Sequence, residues 1–226
     1  MQSFFFGLAS LFLDRMTRAM RGFLAVAVLL SGVILGAGQA EAQISKLAEK
    51  APVTYDNKYE LYGGIGLQNF QAGQDLPKKM IFGNAEVMGT YWLTKKLGVA
   101  ADLRGGAGTT QVFPNSDKSR PLVVMYTGMG GVEYRGPRNQ FAAIDYHAFG
   151  GISHGVFDET ARQDINIGLY TNRNAPMFAV GGSVDFNRSK RLAFRISPDL
   201  IFERYGTETR EFFSVSGGVL YRFGKK

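Results

Sequence analysis

From about Tyr59 to Phe223 the chain returns again and again to stretches in which apolar and polar side chains alternate. A β-strand sends successive side chains to opposite faces, so this pattern makes one greasy surface and one charged surface. The clearest stretch is Arg191–Arg204. Leu192, Phe194, Ile196, Leu200 and Phe202 share one face, with Pro198 among them, and Arg195, Ser197, Asp199 and Glu203 share the other. In a water-soluble barrel the greasy face points inward. In a membrane barrel it meets lipid, and the charges line the interior.

The residues before this region read differently. Arg15, Arg18 and Arg21 precede an apolar run from Phe23 to Ala37, followed by Ala40-Glu41-Ala42 and then Gln43. A basic region, an apolar core and a small-x-small site, in that order, predict a signal peptide over 1–42. The core is shorter than the roughly 20 residues that span hydrocarbon as a helix, and no basic stop signal follows it. Met16 or Met20 as the start would give a leader of more ordinary length, and the sequence leaves that choice open. Cleavage before Gln43 removes Arg15, Arg18 and Arg21 against Asp14 and Glu41, which lowers the formal charge of +7 by one.

Residues 43–57 are short and polar and read as a flexible leader; 58–226 then has the length of one domain, expected from its alternation to be a β-barrel. With no cysteine in the chain, an exported domain relies on core packing or on a closed hydrogen-bonded sheet. The basic excess is dispersed. Basic turns facing anionic lipid, or a solvated surface, account for it more simply than nucleic acid, which is not expected as a partner.

Eight strands are expected, over Lys58–Phe70, Met80–Leu93, Gly98–Thr109, Pro121–Arg135, Gln140–Gly155, Asn174–Asn187, Arg191–Arg204 and Glu211–Phe223. The turns Thr94–Leu97, Gly136–Asn139 and Arg188–Lys190 are short. The connections 71–79, 110–120 and 154–173 are longer and more polar. Long and short connections alternate in membrane barrels, with the long ones outside the cell. Tyr91-Trp92, Tyr134, Phe141, Phe186, Tyr221 and Phe223 gather near strand ends, where interfacial girdles belong. Paired glycines such as Gly63-Gly64, Gly181-Gly182 and Gly217-Gly218 give room in a tightly curved wall.

The expected fold class is all-β, an eight-stranded antiparallel transmembrane barrel closed as an up-and-down meander. On this pattern, and on the closing run Gly217-Gly218-Val219-Leu220-Tyr221-Arg222-Phe223, the chain resembles the small eight-stranded outer-membrane barrels of Gram-negative bacteria, the group that includes the OmpA-like membrane domain. That resemblance implies outer-membrane lipid and the barrel assembly machinery as partners, because such barrels commonly end in an aromatic residue that the machinery reads. Here Gly224-Lys225-Lys226 follow Phe223, so the aromatic is not terminal.

Acids and bases inside a narrow barrel must pair or stay hydrated, because an unpaired buried charge is costly. An internal ion-pair network is therefore expected among Glu86, Asp102, Arg104, Glu133, Asp145, His147, Arg195, Asp199, Glu203 and Arg222. It would plug a lumen only wide enough for side chains. No catalytic residue, cofactor or metal site is expected. The two histidines, His147 and His154, lack the spacing and companions of a metal centre. Ser153, His154, Asp158 and Glu159 hold the parts of an activated nucleophile, but adjacent strand residues face opposite ways. The expected function is a structural or interaction barrel in the outer membrane, with loops 71–79, 110–120 and 154–173 as contact sites for a surface ligand. The alternatives are a small-solute pore, a lipid-modifying outer-membrane enzyme, and a soluble β-barrel that binds an apolar ligand.

Overall fold

A computed structural model describes residues 53–73, 80–109, 122–157 and 169–225. The signal peptide, most of the leader and the tips of the three long connections lie outside the described residues. Within the described residues, alternation becomes β1 (Asn57–Phe70), β2 (Met80–Trp92), β3 (Leu97–Thr109), β4 (Leu122–Arg138), β5 (Ala142–Phe157), β6 (Arg173–Asn187), β7 (Leu192–Glu203) and β8 (Arg210–Lys225). Each strand pairs antiparallel with its neighbour in sequence, and β1 pairs with β8, which closes the barrel. Closure gives every wall strand a partner on both sides, a condition hydrocarbon imposes because it offers no water to bare N–H and C=O groups.

The greasy face is on the outside. Phe194 is 57% exposed and Ile65 75%, whereas Arg195 is 1% exposed and Asp102 is fully buried. A soluble barrel with an apolar lumen requires the reverse. Ile144 and Val184 depart from the outward set in being buried; they are register partners on β5 and β6.

Most strand ends differ from the sequence expectation by one or two residues, and the end of β4 by three. β4 continues through Gly136, Pro137 and Arg138, so the turn begins only at Asn139. One extra residue is accommodated there: Arg135 pairs Asp145 while Arg138 pairs Ala143. Pro137 sits within this bulge, where the ladder has no use for its missing N–H. The connection expected over 154–173 is shorter at both ends, since His154–Phe157 belong to β5 and Arg173 to β6. At Ser197 and Pro198 the β6–β7 ladder lacks two rungs. The Ser197 hydroxyl donates to the Gly182 carbonyl there, at 3.4 Å.

The interior has three zones. At the short-turn end Tyr55, Trp92 and Arg135 fill the bore. Charged side chains occupy the middle. Toward the long connections the filling is apolar, built on Phe70, Phe82, Phe157, Phe212, Met177 and Ile201.

Candidate functional site

Strand phase puts the functional side chains in place. On β7 the residues Arg195, Ser197, Asp199 and Glu203 alternate inward, and on β5 so do Asp145, His147 and Ser153. Two charge clusters result.

Arg195 centres the first. Its guanidinium donates to Asp185 at 2.7 Å, to Asp145 at 3.0 Å and to Glu133 at 3.2 Å, and it lies 3.6 Å from Glu60. Arg222 adds Asp185 at 2.8 Å and Glu60 at 3.2 Å. Arg135 pairs with Glu60 and lies 3.6 Å from Asp145. Thr90 Oγ1 donates to the remaining Glu133 oxygen at 2.6 Å. These contacts join β1, β2, β4, β5, β6, β7 and β8. An arginine suits such a hub because its five fixed donors can serve several carboxylates together.

Arg104 centres the second cluster. It meets Asp102 at 2.7 Å, Glu86 at 3.5 Å and, from β3 across the bore to β7, Asp199 at 2.6 Å. Asp199 also meets His147 Nε2 at 2.6 Å, and the His147 ring stacks on Phe149 at 4.6 Å. Gly181 clears the space for this contact. A Cβ there would collide with Asp199 Oδ1 and come within 2.8 Å of His147 Nε2.

The structure therefore brings Glu86, Asp102, Arg104, His147 and Asp199 into one group and Glu133, Asp145, Arg195 and Arg222 into another. Glu203 joins neither. It is 1% exposed and has no ion-pair partner among the described residues. Glu60, Asp185 and Arg135 belong to the network although the expected set lacks them. Glu60 and Asp185 carried the signal, being in inward phase. Arg135 is in phase with Glu133 but stands at what looked like a strand end.

Below the Arg195 cluster, the Arg135 guanidinium lies 3.8 Å over the Trp92 ring and 5.2 Å over that of Tyr55. Tyr55 belongs to the stretch expected as flexible leader, yet it is 6% exposed. Its hydroxyl donates to the Asn139 carbonyl at 2.7 Å and accepts from Asn187 Nδ2 at 2.6 Å. Its φ of 54° is in the left-handed region. A side chain other than glycine stays there only when its surroundings hold it.

At the opposite end the interior is apolar, not polar throughout. Phe70 packs on Phe82 at 5.0 Å, Phe212 at 5.3 Å and Tyr205 at 5.6 Å. The inner parts of two long connections fold over this layer. Tyr170 donates its backbone N–H to Ala72 at 2.9 Å, and Gly73 bridges Leu169.

The residues considered for nucleophilic chemistry do not converge. Ser153 is buried in the bore with its hydroxyl 2.7 Å from Tyr205 Oη. His154 faces outward and its Nδ1 lies 2.7 Å from Asn174 Oδ1. Asp158 and Glu159 lie outside the described residues. Glu60, Glu133 and Asp145 bring carboxylate oxygens within 4.8 Å of one another, a spacing a divalent ion accepts. Arg135, Arg195 and Arg222 already stand against these oxygens as counter-charges, so the donor set fits an arginine network better than a metal.

No protein-family model matches the sequence, and no curated protein matches it either. Among solved structures, the fold is similar to that of Neisserial surface protein A, with a TM-score of 0.53 and 8% identity over 74% of this chain and 97% of that one. It is also similar to the outer membrane protein OprG from Pseudomonas aeruginosa, with a TM-score of 0.51 and 8% identity over 77% of this chain and 99% of that one. The chain thus has the fold of the small eight-stranded outer-membrane barrels.

Proposed function

We propose that this protein is a structural or interaction barrel of the outer membrane, without catalytic activity, whose long connections form the contact face. The observation that carries the reading is the inverted burial of the wall, with Arg195 in the interior and Phe194 outside. Buried arginine is tolerable only where carboxylates surround it, and exposed Phe, Leu and Ile on a continuous wall call for lipid. In this reading residues 1–42 are an export signal removed before Gln43, and β8 with its terminal aromatics Tyr221 and Phe223 is the strand that the barrel assembly machinery engages. Loops 71–79, 110–120 and 154–173 are the surface for a ligand or partner.

The two charge clusters and the aromatic layer act here as a plug and as a register lock. Arg104–Asp199 and Arg195–Glu133 each tie side chains across the bore. A one-residue slip of any strand would turn its charges out to lipid. Purified barrel folded into planar bilayers is expected to give no steady single-channel current. A large, steady current would replace the plug with a solute pore.

A further inference from the structure

The barrel is strongly asymmetric in charge at its two rims. Lys95 and Lys96 in the β2–β3 turn, Arg188, Lys190 and Arg191 in the β6–β7 turn, and Lys58 at the start of β1 all lie at the short-turn end. The turn cations are exposed and make no ion pair among the described residues. Asp56 is the acid that accompanies them in the segment before β1. The long connections instead mix signs in sequence, as in Asp117-Lys118 and Glu208–Arg210.

These cations sit at a particular height on the wall. Leu93 and Leu97, 55% and 42% exposed, flank Lys95 and Lys96, and exposed Leu192 follows Arg191. Lys58 Nζ lies 5.3 Å over the ring of Tyr91, which packs tilted against Tyr59, and Tyr59 in turn stacks on Phe223 in the outward aromatic girdle. Aromatic girdles mark the boundary between hydrocarbon and headgroups. The cations therefore stand beside apolar wall at the level of lipid phosphates. A soluble polyanion needs only the charge. A phospholipid also uses the adjoining apolar wall for its acyl chains.

We propose that the short-turn rim binds anionic phospholipid headgroups of the adjacent leaflet, choosing them over zwitterionic ones. This rests on the membrane-spanning reading above. The attraction is electrostatic, so it weakens with salt.

The test uses the full barrel folded into phosphatidylcholine vesicles holding a trace of spin-labelled phosphatidylglycerol or spin-labelled phosphatidylcholine. Heat-modifiable gel migration checks folding. The expected result is a motionally restricted population enriched about tenfold for phosphatidylglycerol at low salt. The combined variant K95Q, K96Q, R188Q, K190Q and R191Q folds and loses that enrichment. Equal restriction of both lipids, or enrichment unchanged in the variant, overturns the proposal while leaving the membrane barrel in place. Sedimentation with isolated cell-wall sacculi that the variant abolishes, without any lipid preference, assigns the rim to a periplasmic polymer and overturns it too. Absence of a restricted component for either lipid means that the wall does not meet lipid, and the underlying reading fails with it.

Discussion

Arg195 shows what a single residue does in this fold. Its guanidinium is the shared partner of Asp185, Asp145 and Glu133. Removing it takes away the one cation paired with Glu133 among the described residues and leaves Asp185 and Asp145 with only Arg222 and Arg135, a loss of about 3–5 kcal/mol. Arg195→Ala is expected to lower unfolding stability by that order, measured by urea titration of the barrel in lipid vesicles. Arg195→Lys keeps the charge but not the fork of donors, and is expected to recover only part of it. Gly181→Ala is expected to cost about 1–3 kcal/mol, because the methyl group forces Asp199 and His147 to move. Gly150→Ala, with open space around its Cβ position, serves as the silent control. Tyr205, outside the strands, gives a pH dependence. Burial raises its phenol pKa, and the Ser153 hydrogen bond offsets this in part. A phenol with a raised folded-state pKa contributes stability that is complete below the unfolded value of about 10 and is lost as pH rises through the folded value. Alkaline destabilisation that sets in above about pH 10 is expected to be shallower in Tyr205→Phe, followed by intrinsic fluorescence.

At the scale of elements, strand phase was readable and the occupants of the bore were only partly so. Arg191–Arg204 alternates except at the apolar run Leu200-Ile201-Phe202, and β7 buries Arg195, Ser197, Asp199 and Glu203 as that alternation implies. Phe82 is in phase with Asn84 and Glu86, and Phe212 with Ser214. Their inward direction follows from that phase, but charged and polar residues dominate the same face in sequence, so the apolar layer at one end does not stand out there. Partners across the bore follow from strand stagger, which alternation does not encode. That is why Glu203 has the right phase and yet no ion pair among the described residues, although Arg210 is its register partner on β8. Tyr55 precedes the first strand, where no period exists to place it. The aromatic layer carries its own prediction. Phe70→Ala opens a cavity among Phe82, Phe212 and Tyr205 and is expected to cost about 3–5 kcal/mol, measured by the same urea titration. Conductance in that variant should stay closed, because the charge clusters below still fill the bore.

For the whole molecule, closure through β1 and β8 and the inverted wall make one statement: the exterior is matched to hydrocarbon and the interior to itself. Detergent dependence and heat-modifiable migration follow from it. The native chain contains no cysteine, so single cysteines can be placed at will. Phe194→Cys, Ile152→Cys and Leu103→Cys mark the wall, and Ser197→Cys, Ser153→Cys and Thr127→Cys mark the bore. Each variant is labelled with a small fluorophore under denaturing conditions and folded into vesicles whose acyl chains carry bromine. Strong quenching at the first set and weak quenching at the second is the expected result. Quenching strongest at Ser197, Ser153 and Thr127 would contradict the orientation from which everything else here follows.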